Sequence, residues 1–373
     1  MGPVRRPHLL HVFSTFAPAG PQVRTAGLLA AFGNAYRHSI VAMDGCLDAR
    51  ALIDPGLEVA YLEAPPKAGT LRTVPRMYRL VVRAAPDLVL TYNFGAVDTA
   101  LATRLGGGPP LVHHEDGFRP DEADGLKRRR SWLRRLALAD AAAVVVISES
   151  LAHIAAEVWR LPAGRLHLIP NGIAAARFAA ADGHPALRAE LGIPADAFVA
   201  GAVGHLRPEK NLPRLFAAAA AVPGLHLLVL GEGPEGARLA ELAGRAPLAG
   251  RVHLVGYHAD PRAHYRAMDA FALSSDTEQM PIALLEAMAS SLPVVATDVG
   301  DVASILPPEQ ADRVIPLGER CESDFASALA DLARSPETRA ALGAANRARL
   351  LERFTEQRMV DAYRELYDSV LGG

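Results

Sequence analysis

Short runs of Val, Leu and Ile alternate along the chain with longer Ala-, Leu- and Arg-rich stretches whose apolar residues recur at helical spacing. Runs this short and this uniformly apolar suit strands of a parallel sheet covered on both faces, and the stretches between them suit crossover helices. Strands are predicted at 9–13, 39–43, 87–92, 110–113 and 142–147 in the first half, and at 198–203, 225–230, 251–255, 270–273, 293–296 and 313–315 in the second. The count gives an α/β chain of two Rossmann-like, doubly wound units. Pro170-Asn171-Gly172 is a turn tripeptide, and the segment from there to Pro185 has little strand or helix pattern, so a linker is expected there. The expected domains are 1–173 and 174–354. The tail over 336–371 reads as two helices, with Phe354, Met359, Val360, Tyr363, Leu366, Tyr367 and Val370 at helical spacing, and residues 355–373 are expected to cross back to the first domain.

A length of 373 residues agrees with two or three domains. Half of the residues are hydrophobic, 21% are charged and the net charge is -2, which excludes a disordered tail protein and gives no reason to expect a nucleic-acid partner. The most apolar segment, 133–147, is interrupted by Arg134, Arg135 and Asp140, so no membrane-spanning helix is expected. The apolar run 9–16 is too short for a signal peptide and contains His11 and Ser14, which favours a first strand. Cys46 and Cys321 show no metal-ligand spacing and no disulfide framework, consistent with a reducing, cytoplasmic setting. Up to residue 173 there are 20 basic against 15 acidic residues, and after it 19 against 26. That asymmetry would suit an anionic surface or acceptor on the first half, although such a difference is common.

The densest chemical signal is Ser274-Ser275-Asp276-Thr277-Glu278-Gln279-Met280-Pro281-Ile282-Ala283-Leu284-Leu285-Glu286. Pro281 suits the first turn of a helix that follows a strand ending at Leu273, which puts the loop at the carboxyl edge of the sheet. Glu278 then falls in the loop and Glu286 in the second turn, with the free N–H groups expected at 281–284 between them. An anion held at that helix start, with hydroxyls on the two carboxylates, is one reading; a helix-stabilising acid and a solvated glutamate is the other. A second segment adds weight: Gly204 ends a strand, and Arg207 and Lys210 follow it as two cations placed to clamp a diphosphate. Only Lys67, Lys127 and Lys210 break the chain's preference for arginine, so a lysine here runs against the composition. Gly231-Glu232-Gly233-Pro234-Glu235-Gly236 matches the dinucleotide fingerprint but follows the second strand of its unit and has no acid ending the next strand. Its glycines are expected to let a loop approach a nucleotide base, together with Val255, Gly256 and Tyr257.

In the first half, His113-His114-Glu115-Asp116-Gly117 follows a predicted strand. Adjacent residues of a strand end do not converge on one metal, so no metal site is expected. The alternatives are a polar group aimed at a reacting centre and a pair of solvated histidines. The loop at 16–22 is expected to close on a phosphate through Gly20. Lys127 to Arg135 holds six basic residues around Trp132 on a helical pattern, readable as an interfacial helix for anionic lipid or as an arginine-rich solvent face.

Glu278 and Glu286 with seven residues between, the preceding Ser-Asp-Thr, the Gly204/Arg207/Lys210 segment and Pro170-Asn171-Gly172 together resemble the retaining glycosyltransferases of family 4, whose GT-B fold has two Rossmann-like domains facing a central cleft. The resemblance covers nearly the whole chain. It implies a nucleotide-diphosphate sugar donor and no cofactor or metal, with a UDP-sugar favoured and a GDP-sugar as the alternative. Arg207 and Lys210 would hold the diphosphate, Glu286 the ribose, and Glu278 the sugar as a catalytic residue. The backbone of Met280, Pro281, Ile282 and Ala283 would lie against sugar and phosphate, with Gly20, Gly204, Gly256 and Tyr257 as further donor contacts. The acceptor, lipid-linked or glycan, would lie on the first domain beside His114 and Asp116, with peripheral contact to an anionic inner membrane face. Many relatives carry Gly-Gly where this chain has only Gly20, and some have Glu-His-Gly where it has Glu115-Asp116-Gly117, so the sequence leaves open which of His113, His114 and Asp116 faces the anomeric carbon. An epimerase acting on a nucleotide sugar and a catalytically silent nucleotide-sugar binder are the competing readings.

Overall fold

The computed structural model describes residues 5–66, 68–118, 122, 125–178 and 184–372. The chain divides into two units, one formed by Met1–Asn171 with Met359–Gly373, the other by Gly172–Arg358. Residues 179–183 of the expected linker lie outside the described residues.

The first unit is built on seven parallel strands: β1 His8–Phe13, β2 Arg37–Ala42, β3 Val59–Leu62, β4 Leu88–Tyr92, β5 Leu111–Glu115, β6 Ala143–Val146 and β7 Leu166–Leu168. Their order is β3-β2-β1-β4-β5-β6-β7, so the winding reverses between β1 and β4, where open α/β sheets place ligands at the carboxyl ends of the strands. Strands β1, β4 and β6 are buried at every position. That two-faced burial fits their largely apolar runs, interrupted by His8 and His11 in β1 and Thr91 in β4. β3 and β7 are the edge strands of this sheet, partly exposed, and neither is among the predicted strands.

The second unit has β8 Val199–Val203, β9 His226–Leu230, β10 Val252–Leu254, β11 Ala270–Leu273, β12 Val294–Thr297 and β13 Val314–Ile315, in the parallel order β10-β9-β8-β11-β12-β13, with the reversal between β8 and β11. The tail forms helices Pro336–Arg353 and Glu356–Gly372. From the latter, Met359, Val360, Tyr363, Leu366 and Tyr367 enter the core of the first unit, among Leu9, Phe13, Phe32 and Tyr92. No helix among the described residues is long and apolar enough to cross a membrane.

Candidate functional site

In the second unit the chain leaves β8 through Gly204, at φ 155°, into the loop that carries Arg207 and Lys210. It leaves β11 through residues 274–281 into helix Ile282–Ala289. Pro281 stands at the cap of that helix rather than in its first turn. A proline has no N–H, and the Leu284 N–H donates to the Pro281 carbonyl at 3.1 Å. The donors that helix geometry leaves open therefore narrow from the expected 281–284 to Ile282 and Ala283.

The two loops are bonded to each other. The Asp276 N–H donates to the Glu209 carbonyl (2.8 Å), and Ser274 Oγ to the Lys210 carbonyl (3.0 Å). Asn211 Nδ2 donates to both Asp276 carboxylate oxygens at 3.1 and 3.0 Å, and Arg214 reaches Asp276 Oδ1 and the Ser274 carbonyl at 2.7 Å each. This frame sets Lys210 against Glu278: Nζ donates to Oε1 at 2.5 Å, and Ser275 Oγ donates to the same oxygen at 2.7 Å. The resemblance assigns these two side chains to different parts of a donor, whereas the structure pairs them. Arg207 is half exposed, its guanidinium 3.8 Å from Glu209. Gly204, His205, Lys210, Ser274 and Ser275 line one concavity at this sheet edge.

Glu286 is largely enclosed. Tyr265, from helix Arg262–Ala267, donates its hydroxyl to Glu286 Oε2 at 2.8 Å and lies 3.2 Å from the Ala283 carbonyl. Burial pushes the Glu286 carboxyl up to about 7, against the opposing effects of the Tyr265 hydroxyl and Arg177. Tyr265 carries no motif that marks it in the sequence; only the fold brings it to Glu286.

The glycine fingerprint serves packing between loops. A Cβ on Gly231 would lie 1.8 Å from the Gly204 carbonyl oxygen, and one on Gly233 2.5 Å from that of Leu206. Backbone bonds from Leu206 N–H to the Glu232 carbonyl (2.9 Å), Glu235 N–H to the Leu206 carbonyl (3.0 Å) and Gly231 N–H to the Gly256 carbonyl (2.8 Å) join three loop segments. The close approach expected of these glycines toward a base is thus an approach to neighbouring backbone. Gly256 has φ 75°, and the Tyr257 side chain beside it is exposed.

Gly300, which the sequence does not single out, supports the Glu278 loop from behind: at φ 55°, its Cβ would fall 2.1 Å from the Glu278 carbonyl oxygen. Gly300→Ala is expected to displace that loop and to cost about 1–3 kcal/mol in combined backbone strain and clash. Thermal unfolding and nucleotide titration of the variant check this, and unchanged values in both would remove the support role.

In the first unit, β5 runs through Glu115, so His113 and His114 lie inside the sheet layer instead of in the loop after it. His113 bonds Thr91 Oγ1 at 2.8 Å, with Nε2 3.4 Å from Glu115. Both ring nitrogens of His114 are engaged, Nε2 with the Tyr367 hydroxyl at 2.9 Å and Nδ1 with the Thr91 carbonyl at 3.2 Å. Burial lowers its pKa well below the ordinary value. Of the three candidates, Asp116 alone lies past the strand end. Its N–H donates to Asn93 Oδ1 at 2.7 Å, and its carboxylate pairs with Arg24, whose Nη1 also donates to Asn171 Oδ1 at 3.1 Å. Arg24 is buried on helix Gly20–Phe32, one turn after Gly20, which opens that helix. Arg24 is a site residue that the motif reading omits.

The basic helix Arg128–Leu138 turns one of its arginines inward: Arg134 is fully buried, while Arg128, Arg129, Trp132 and Arg135 are exposed.

Residues 19–172 match the glycosyl transferase 4-like domain, and residues 184–349 match the family of glycosyl transferases group 1. The chain belongs to the group 1 glycosyltransferases. Within this family, the lipopolysaccharide core biosynthesis glycosyltransferase LpsE of Rhizobium meliloti is 29% identical over 204 residues, covering 55% of this chain and 58% of LpsE. The UDP-Gal:alpha-D-GlcNAc-diphosphoundecaprenol alpha-1,3-galactosyltransferase of Escherichia coli is 27% identical over 241 residues, covering 61% and 62% of the two chains. The chain thus spans little more than half the length of these curated relatives. Among solved structures, Anabaena HepE in complex with UDP and glucose aligns with TM-score 0.83 at 20% identity, over 98% of this chain and 100% of HepE. That likeness shows the fold, two doubly wound sheets of the GT-B type, as the resemblance implies.

Proposed function

We propose that the protein is a retaining, metal-independent glycosyltransferase that moves a hexose from a nucleotide-diphosphate sugar to a lipid-linked or glycan acceptor. The observation that carries this is the Lys210–Glu278–Ser275 cluster at the carboxyl edge of the second sheet, in the loop that leads into the helix opening at Ile282. A diphosphate at this edge exchanges the Glu278 carboxylate for its own charge on Lys210, which frees Glu278 to accept bonds from sugar hydroxyls. Arg207, Lys210 and the helix N–H groups stabilise the charge that grows on the leaving diphosphate. Glu286 meets the ribose, and Gly256 and Tyr257 the base. In the transfer, the anomeric C–O bond to phosphate breaks, an acceptor oxygen forms the new bond on the same face, and its proton passes to the leaving diphosphate. Asp116, fixed by Arg24 and Asn93, orients the acceptor side. The donor is a UDP-sugar, in line with UDP in the HepE complex and the UDP-Gal named for the E. coli relative, with a GDP-sugar as the second choice.

The test is nucleoside diphosphate titration together with transfer assays. Lys210→Ala is expected to weaken UDP or GDP binding about 10- to 100-fold, the worth of one charge-assisted hydrogen bond. Glu278→Gln should leave that affinity within a few-fold and cut transfer by about 100-fold or more. Unchanged diphosphate affinity in Lys210→Ala would remove the donor assignment. Sugar conversion without any acceptor would establish an epimerase instead.

The exposed Trp132 among Arg128, Arg129 and Arg135 favours one further element of this reading, peripheral contact with anionic lipid at the inner face of the membrane. Co-sedimentation with phosphatidylglycerol vesicles should fall in a Trp132→Ala/Arg135→Ala variant; equal sedimentation of both proteins rejects it.

A further inference from the structure

A cavity of about 700 Å³ opens at the C-terminal ends of β2 and β3, within the first unit. Met43, Leu47 and Leu62 give it an apolar wall, Tyr61 adds an aromatic ring, and Asp44 and Glu63 add two carboxylates. None of its described lining residues is cationic. Two arginines touch lining residues without entering the lining: Arg50 lies over the Tyr61 ring at 5.7 Å, and Arg76 Nη1 donates to the Pro66 carbonyl at 2.8 Å. Asp44 Oδ1 accepts from the Cys46 N–H at 3.0 Å, which leaves its second oxygen open.

We infer that this cavity is a carbohydrate subsite that holds an uncharged or amino sugar of the acceptor, remote from the reacting hydroxyl. The inference rests on the transferase reading above and specifies its acceptor. A pyranose offers a face of C–H groups that packs on an aromatic ring and an equator of hydroxyl donors that carboxylates accept. A few convergent polar groups in an otherwise apolar pocket are what orient a small ligand. Asp44 and Glu63, the charged side chains among the described lining residues, disfavour a phosphate or a uronic acid seated directly against them, while Arg50 and Arg76 stay outside the lining. The sheet order β3-β2-β1-β4-β5 sets β2 three strands from β5, which ends at Asp116. At about 4.8 Å per strand the two ends are roughly 14 Å apart along the same edge, the reach of a short oligosaccharide rather than of one sugar. The cavity therefore reads the acceptor's interior units, while Asp116 attends its growing end.

The experiment measures saccharide binding to the full chain by saturation-transfer NMR and calorimetry, with no donor present. The probes are maltotriose, mannotriose, chitotriose and trigalacturonate. At least one neutral trisaccharide is expected to bind in the millimolar range. Tyr61→Ala should weaken it about tenfold, the worth of one aromatic contact, while Tyr61→Phe stays within about twofold. Trigalacturonate should bind at least about tenfold more weakly and recover in Asp44→Asn/Glu63→Gln. Failure of all three neutral probes to bind, or indifference of binding to Tyr61→Ala in a protein that melts normally, overturns the subsite. Equal affinity for trigalacturonate overturns its charge selectivity. The readout needs no turnover, so the two readings fail separately. Tyr61-dependent binding without transfer leaves the cavity standing and removes the transferase, whereas transfer whose acceptor KM ignores Tyr61→Ala removes the cavity alone.

Discussion

Arg134→Ala is expected to lower the stability of the first unit by about 3–5 kcal/mol, the cost of leaving a buried carboxylate without its partner. Arg134 Nε and Nη2 donate to Glu115 at 2.9 and 3.3 Å, and Nη1 lies 3.6 Å from Glu122. All three side chains are fully buried. The guanidinium also lies over Phe94 at 4.8 Å, Trp159 at 4.9 Å and Phe118 at 5.5 Å. Burial, the largest single effect, pushes the Glu115 carboxyl upward; the charge and hydrogen bonds of Arg134 together with those of His113 outweigh it and hold the group below its ordinary value. Removing the cation strands Glu115 at the end of β5, one residue before Asp116. The chain's two tryptophans, Trp132 and Trp159, both belong to the first unit, so tryptophan fluorescence in urea follows that unit alone. The double variant Arg134→Met/Glu115→Gln should recover much of the loss. A single-variant loss under about 1 kcal/mol would mean that water reaches the pair and screens it.

The same fluorescence signal should show the first unit losing several kcal/mol as pH falls from about 6.5 to about 4. Its core holds a string of imidazoles: His11 bonds His38 at 3.0 Å and the Tyr92 hydroxyl at 3.0 Å, and His114 bonds the Tyr367 hydroxyl at 2.9 Å. Burial lowers His38 to about 4 and takes His11 and His114 well below their ordinary value. An unfolded chain protonates these rings near pH 6.5, while the folded one resists until much lower pH. Proton uptake therefore favours unfolding throughout that interval, His38 alone contributing about 3 kcal/mol. Below the folded values both states are protonated and the loss levels off. Glu286, in the second unit, acts in the opposite direction: with a carboxyl raised to about 7, it adds stability as pH falls from 7 toward its ordinary value near 4.5. Burial also lowers His205, His226, His253 and His264 of the second unit, so that unit loses stability in acid as well, with Glu286 offsetting part of the loss. A fluorescence-detected transition that ignores pH over this range would show that the imidazoles are hydrated, not sealed in the core.

Most strands that are buried on both faces are legible in the chain, because two-sided burial leaves a largely apolar run. The edge strands β3, Val-Ala-Tyr-Leu, and β7, Leu-His-Leu, are not picked out, because three or four apolar residues in a row also occur in the helices and loops around them. The loops after β8 and β11 are identifiable from Gly204, Lys210 and Glu278, yet the bond between Lys210 and Glu278 is not, because it depends on side chains 68 residues apart in sequence. Tyr265, Gly300 and Arg24 act through close packing and have no spacing rule of their own. For the histidines the difference is one of strand length. Ending β5 two residues early moves His114 from the core into a loop, and polarity at 113–116 invites that ending, since charged residues seldom lie inside a buried strand.

Because Tyr363 and Tyr367 complete the core of the first unit, that domain cannot close during translation when its own sheet has left the ribosome. The whole of Gly172–Arg358 must be made first, a wait of roughly 10–40 s at ~5–20 residues per second. A nascent first unit that lacks its last helix leaves Leu9, Phe13, Phe32 and Tyr92 without the Tyr363 and Tyr367 packing for that time, so its apolar core stays open to the ribosome's surroundings longer than that of the second unit.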